Sequence, residues 1–147
     1  MKATISTRIR VNGDEMWGEL QKISSLVHVA RPLLSFKTRG DESMPGKWTI
    51  GEEYGFRLFL FGWIPLGEHF IQLEEVSRTE GRIVSRERGD MTPVWNHTIL
   101  LEDGEGESLA YTDEIEIKAG ILTPFIWAFA HVFYRHRQRR WKLLLEG

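Results

Sequence analysis

Hydrophobic positions change their period three times along the chain. Residues 4–11 alternate, with Ile5, Thr7, Ile9 and Val11 set against Ser6, Arg8 and Arg10. That two-residue period predicts a strand. Asn12 follows as a helix N-cap, with Asp14 and Glu15 in the first turn, where the helix dipole favours acids. Met16, Leu20, Ile23, Leu26 and Val27 then recur at helical spacing, and Pro32 ends the region.

From residue 33 to residue 118 the period returns to two, broken by turn residues about every ten positions. The pattern predicts a weak strand at 33–38, the loop RGDESMPGK, a short strand at 47–50 and a strong one at 54–61. GWIPL breaks the pattern at 62–66. Strands at 68–76, 81–88, 94–102 and 108–118 follow, joined by SRTE, GDMTP and DGEGE. Regularly spaced short strands of this kind predict an antiparallel meander. Thr123 is placed to N-cap a last helix, with Pro124 at its first position. That helix runs to about residue 145, with Phe125, Phe129, Val132, Phe133, His136 and Arg140 on one face. The expected class is therefore α+β: a curved antiparallel sheet of about six to seven strands, two short helices after strand one, and a long helix covering the concave face.

Composition narrows the function. The 147 residues suit one domain, and 41% are hydrophobic. With 19 Lys+Arg against 21 Asp+Glu, no overall field draws nucleic acid or anionic lipid. The terminal RHRQRR run reads as a solvated helix end that complements the helix dipole. Without cysteine there is no disulfide framework, thiolate metal site or cysteine nucleophile. The apolar run at 119–134 is shorter than the ~20 residues a spanning helix needs. No signal peptide is read at the N-terminus, so a cytoplasmic protein without stable membrane insertion is expected.

Several segments together resemble a known superfamily. They are RVNGDEMWGEL after the first strand, FGWIPLGEH at the central hairpin, VWNHTILLE on the penultimate strand, and YTDEIEIKAGILTPF leading into the closing YRHRQRRWKLLLE. Their order is similar to that of the helix-grip superfamily, also called SRPBCC or START-like, which includes lipid-transfer and polyketide cyclase/dehydrase proteins. The resemblance covers nearly the whole chain but contains no catalytic signature. It implies a cavity between sheet and C-terminal helix that holds a hydrophobic or amphipathic small molecule. It implies no cofactor and no particular chemistry.

Strand parity identifies candidate residues independently. On 108–118, Leu109, Tyr111, Asp113, Ile115 and Ile117 share the buried face, and on 94–102 Trp95, His97, Ile99 and Leu101 share one. A symmetric DGEGE hairpin would pair Leu101 with Leu109, Ile99 with Tyr111, and His97 with Asp113. His97 and Asp113 are then either a catalytic acid–base dyad in the cavity or a structural pair that holds the hairpin in register. A one-residue slip would separate them. His69 shares a face with Ile71 and Leu73 and is open to cavity, core or surface placement. Arg57 lies in YGFRLFLF, either as an anion-binding group or on the solvent face. Trp48, Phe59, Trp63, Trp95, Tyr111, Phe125, Phe129 and Phe133 are pocket-lining candidates, with plain core as the alternative. No HExxH-like metal spacing, phosphate loop or nucleophile elbow occurs. The sequence leaves open ligand binding, a cyclase/dehydratase reaction and a partner-binding role with a vestigial cavity and the C-terminal helix as interface, and it leaves a homodimer open as well.

Overall fold

The computed structural model of the protein describes residues 1–38 and 43–146. Residues 39–42, in the expected RGDESMPGK loop, lie outside the described residues. The element order is β1 (Lys2–Ile9), α1 (Gly13–Leu20), α2 (Ile23–Ala30), β2 (Leu34–Lys37), β3 (Glu53–Leu60), β4 (Ile64–Ser77), β5 (Arg82–Gly89), β6 (Val94–Asp103), β7 (Leu109–Lys118) and α3 (Thr123–Glu146). A short 3-10 turn, Gly120–Leu122, precedes α3. The seven strands form one antiparallel sheet in the order β1-β7-β6-β5-β4-β3-β2, so β2 to β7 are a meander and β1 closes against its last strand. The fold is α+β and helix-grip-like, with α3 lying across the curled sheet.

Local chemistry explains the elements. Asn12 Oδ1 accepts the Glu15 N–H at 2.8 Å, which starts α1 where the sequence placed a cap. Met16, Trp17 and Leu20 of α1, and Ile23, Val27, Val29 and Ala30 of α2, are buried. Thr123 departs from the expectation. Its backbone is already helical, and its hydroxyl accepts from Ala119 N–H at 2.9 Å while donating to the Gly120 carbonyl at 2.8 Å. It therefore fastens the 3-10 turn to α3 rather than capping the helix.

Two expected strand features are corrected. Residues 47–50 form no strand, because Lys47 makes only an isolated bridge to Lys22, while the Trp48 N–H reaches back to the Gln21 carbonyl. The segment runs along the α1–α2 junction instead of joining the sheet. Nor does GWIPL interrupt the meander. The β3–β4 turn takes only residues 61–63, with Phe61 and Gly62 at positive φ, and β4 is already a strand from Ile64. A bulge between Leu58 and Phe59 absorbs the irregularity.

The sheet's concave face and α3 bury two apolar clusters. One centres on Phe36, Phe56, Ile71, Trp95, Ile115 and Phe133, the other on Ile9, Met16, Leu73, Ile99, Leu109, Tyr111 and Trp141. The buried stripe of α3 is Ala130, Phe133, Tyr134, Arg137, Gln138 and Trp141. The expected face was rotated from this one, since Phe125 and Val132 are exposed. Among the described residues no helix is long and apolar enough to cross a membrane.

Candidate functional site

Between the concave sheet and α3 lies a cavity of about 590 Å³. Most of its wall is apolar: Leu34, Phe36, Leu58, Leu60, Leu66, Ile71, Leu73, Ile83, Ile99, Ile126, Phe129 and Phe133. Alternation puts the strand side chains there, because inward residues recur at every second position of each strand, and α3 supplies Ile126, Phe129 and Phe133. Leu66 is the extra residue of the β3–β4 bulge, on β4 opposite Leu58 and Phe59, and it also lines the cavity. Ile50, Met91, Leu122 and Phe125 line the cavity while remaining exposed, and so form its mouth.

Across this apolar wall runs a belt of buried polar groups. His69 on β4 bonds through Nε2 to Glu87 Oε1 of β5 at 2.8 Å. Ser85, two residues before Glu87 on the same strand face, donates to Glu87 Oε2 at 2.9 Å. His97 on β6 sits directly opposite Ser85, with its Nδ1 3.8 Å from Glu87 Oε2. Its Nε2 bonds to Asp113 Oδ1 of β7 at 2.6 Å. Gln138 of α3 donates to Asp113 Oδ2 at 3.0 Å and to the Ile5 carbonyl at 2.7 Å, which ties helix, β7 and β1 together. Trp95 Nε1 donates to the Tyr134 hydroxyl at 2.9 Å. The Tyr134 ring lies 4.8 Å from that of His97.

The His97–Asp113 contact forms by a different register from the one expected. His97 pairs across the strands with Ile115, and Asp113 with Ile99. The β6–β7 ladder extends to Asp103 and Leu109, so the register differs by two residues. An even shift keeps both side chains on the buried face. The pair meets diagonally, across a separation that an imidazole can span.

Burial and charge set the protonation of this belt. Burial acts to raise the Glu87 pKa, but the hydrogen bond and charge of His69, the charge of His97 and the Ser85 hydroxyl outweigh it and hold the group below the usual carboxylate range. Burial, reinforced by Glu87, pushes the Tyr134 phenol well above its ordinary value. Tyr111 is raised in the same way by burial and by Asp113. Both phenols keep their protons. Burial opposes the charge of Arg137, yet Tyr111, Asp113, Tyr134 and Glu87 together raise its pKa above the ordinary arginine value. Arg137 is thus a permanent cation inside the fold.

The expected residues divide between wall and elsewhere. Trp48, His69, Trp95, His97, Phe129 and Phe133 line the cavity, and Phe125 stands at its mouth. Asp113 is fully buried behind His97. Phe59 does not line it, because it lies on the outer face of β3, where Lys37 Nζ sits 4.6 Å from its ring. Tyr111 is packed in the second apolar cluster, outside the cavity wall. Trp63 is 74% exposed at the β3–β4 turn, and Arg57 is exposed.

Five polar groups escaped the sequence reading: Ser85, Glu87, Tyr134, Arg137 and Gln138. Parity carried the signal for the first two, since Arg82, Arg86 and Arg88 occupy the opposite face of β5. Arg137 and Gln138 lie inside RHRQRR, which is therefore not uniformly solvated. Among the described residues no cluster of three or more His, Asp or Glu is arranged to hold a metal ion.

A curled antiparallel sheet, gripped by one long helix over an internal cavity, is a helix-grip fold of the START-like type. Solved structures agree at the level of the fold. Protein CV1439 of Chromobacterium violaceum aligns with a TM-score of 0.74 at 14% identity, covering 100% of this chain and 99% of its own. A START superfamily protein of Mycobacterium smegmatis aligns with a TM-score of 0.67 at 9% identity, covering 99% and 97%. DynU16, a protein of the dynemicin biosynthetic locus, aligns with a TM-score of 0.62 at 15% identity, covering 98% of this chain and 48% of its own. No curated protein matches the sequence significantly. Residues 7–144 match the family described as domain of unknown function DUF8410, and the chain belongs to that family.

Proposed function

We propose that the protein binds and carries a hydrophobic or amphipathic small molecule between sheet and α3. The observation that supports this best is the cavity itself. Its roughly 590 Å³ fall in the range of small-molecule sites, its wall is mainly apolar, and a few convergent polar groups interrupt it. Its mouth carries exposed apolar side chains at Leu122 and Phe125, which suit the entry of an apolar ligand. The START superfamily neighbour is consistent with this reading. Native mass spectrometry of the purified protein, followed by organic extraction, tests it. A bound species of defined mass, released by solvent, is the expected result. Failure to retain or take up any apolar compound would contradict the proposal.

A second reading is a cyclase/dehydratase-type reaction on a polyketide-like substrate, with His97 as acid–base group and Asp113 orienting it. It is favoured by the 2.6 Å His97–Asp113 bond at the cavity wall and by the DynU16 likeness. Against it, both ring nitrogens of His97 face carboxylates, Nε2 toward Asp113 and Nδ1 toward Glu87. Neither is turned to a substrate. Carrier function therefore stands first, and turnover of a β-polyketone that is lost in His97→Gln would reverse that order.

A further inference from the structure

The polar belt has a donor–acceptor imbalance. Each of its four carboxylate oxygens already receives a donor: Glu87 Oε1 from His69, Glu87 Oε2 from Ser85, Asp113 Oδ1 from His97 and Asp113 Oδ2 from Gln138. The acceptors are thus engaged by the protein itself. The donors are not. Arg137 is 4% exposed and lines the cavity, and its Nε has no hydrogen-bond partner among the described residues. Its guanidinium lies 5.1 Å from the Tyr134 ring, one helical turn away on the same buried stripe of α3. The Tyr134 oxygen accepts from Trp95, which leaves its own proton to donate, and Tyr134 also lines the cavity.

A buried arginine is ordinarily paired through its guanidinium N–H groups, because an unmet buried donor is costly. Here both Arg137 and Tyr134 line the cavity. We infer that Arg137 and Tyr134 form a donor pair for an sp² oxygen of the ligand, so that the bound molecule is an apolar body ending in a carbonyl or carboxylate. This rests on the ligand-binding reading above and specifies the polar end of the ligand. An ammonium group, which only donates, would gain nothing at this pair. An arginine can meet a carboxylate through two parallel N–H groups and a ketone through one.

The test uses three probes of nearly equal shape: 2-ethylnaphthalene, 2-acetonaphthone and 2-naphthoate. Each is titrated by calorimetry into wild type, Arg137→Met and Tyr134→Phe. Because the probes differ in hydrophobicity, the quantity read is the loss of affinity on substitution for each one. For the two oxygenated probes, Arg137→Met should weaken binding about tenfold or more, the worth of one good hydrogen bond in a dry site. For 2-ethylnaphthalene the change should stay under about twofold. Tyr134→Phe, which removes one buried oxygen and keeps the ring, should show the same selectivity if Arg137→Met folds poorly. A larger loss for naphthoate marks a carboxylate site and a larger loss for the ketone a carbonyl site, and either supports the assignment. Equal losses for all three probes, or none, would overturn the donor pair while leaving the cavity reading intact. If not even 2-ethylnaphthalene binds wild type, the cavity reading falls and this one with it.

Discussion

Removing the Asp113 carboxylate perturbs the polar belt at its most enclosed member. Asp113 has no solvent exposure and accepts from His97 at 2.6 Å and from Gln138 at 3.0 Å, with the Tyr111 hydroxyl at 3.4 Å. In Asp113→Ala, the His97 and Gln138 donors lose their acceptor where no solvent replaces it. Each stranded buried donor costs about 1–3 kcal/mol, so the pair amounts to about 2–6 kcal/mol. Asp113→Asn is milder. Its amide oxygen can still face Gln138, and its N–H can face His97 if the imidazole carries its proton on Nδ1, toward Glu87. The loss is then that of the charge-assisted bonds, about 1–3 kcal/mol. Urea unfolding followed by tryptophan fluorescence measures both, read as a fall in midpoint at constant slope. Glu114→Ala, on the exposed face of the same strand, is the control and should stay within about 0.5 kcal/mol. An Asp113→Ala loss below about 1 kcal/mol, or equal losses in the alanine and asparagine variants, would refute the reasoning.

Three further outcomes are expected. Because the folded-state pKa of Glu87 is depressed, its stabilisation is fully present above the ordinary value of 4.5 and is lost as pH falls through the lower folded value. The stability gap between wild type and Glu87→Gln should thus be constant at neutral pH and narrow only in acid, as urea unfolding across pH would record. A Cβ at Gly89 would lie 2.6 Å from the Glu68 carbonyl oxygen and 2.8 Å from His69 Nδ1. Gly89→Ala should cost about 1–3 kcal/mol and shift the His69 ring resonances, both measurable on one labelled sample. Trp95→Ala should weaken an apolar fluorescent probe severalfold, whereas Phe59→Ala, on the outer face, should leave its titration curve unchanged.

The sequence made the sheet legible because alternation is a local property. Runs such as Ile115-Glu116-Ile117 and Trp95-Asn96-His97 declare their inward face without knowledge of the partner strand. The same locality explains why alternation places His97 and Asp113 on one face without fixing their register. Register depends on where DGEGE closes, and the loop sits one residue later than symmetry about it suggests, so β6 keeps Asp103 in the ladder while β7 joins only at Leu109. Phe59 was also within reach, since Tyr54, Phe56, Leu58 and Leu60 alternate away from it. The face of α3 was harder to read. Phe125 and Val132 are apolar yet exposed, and Arg137 and Gln138 are polar yet buried, so hydropathy points to the wrong stripe. What places Arg137 inside is tertiary: Glu87 and Asp113 come from strands 50 and 24 residues earlier in the chain. No helical periodicity encodes that partnership.

In the proposed carrier, an apolar molecule occupies the space between sheet and α3. A titration of 2-ethylnaphthalene followed on the isoleucine methyl resonances tests it most directly, because isoleucines sample cavity, core and surface alike. Ile71, Ile83 and Ile99 line the cavity, Ile9 and Ile117 are buried away from it, and Ile121 is exposed. Saturable shifts of one-to-one stoichiometry are expected at Ile71, Ile83 and Ile99, with Ile9 and Ile117 little changed. Shifts confined to Ile121 and other exposed methyls, or no saturable shift at any site, would contradict it.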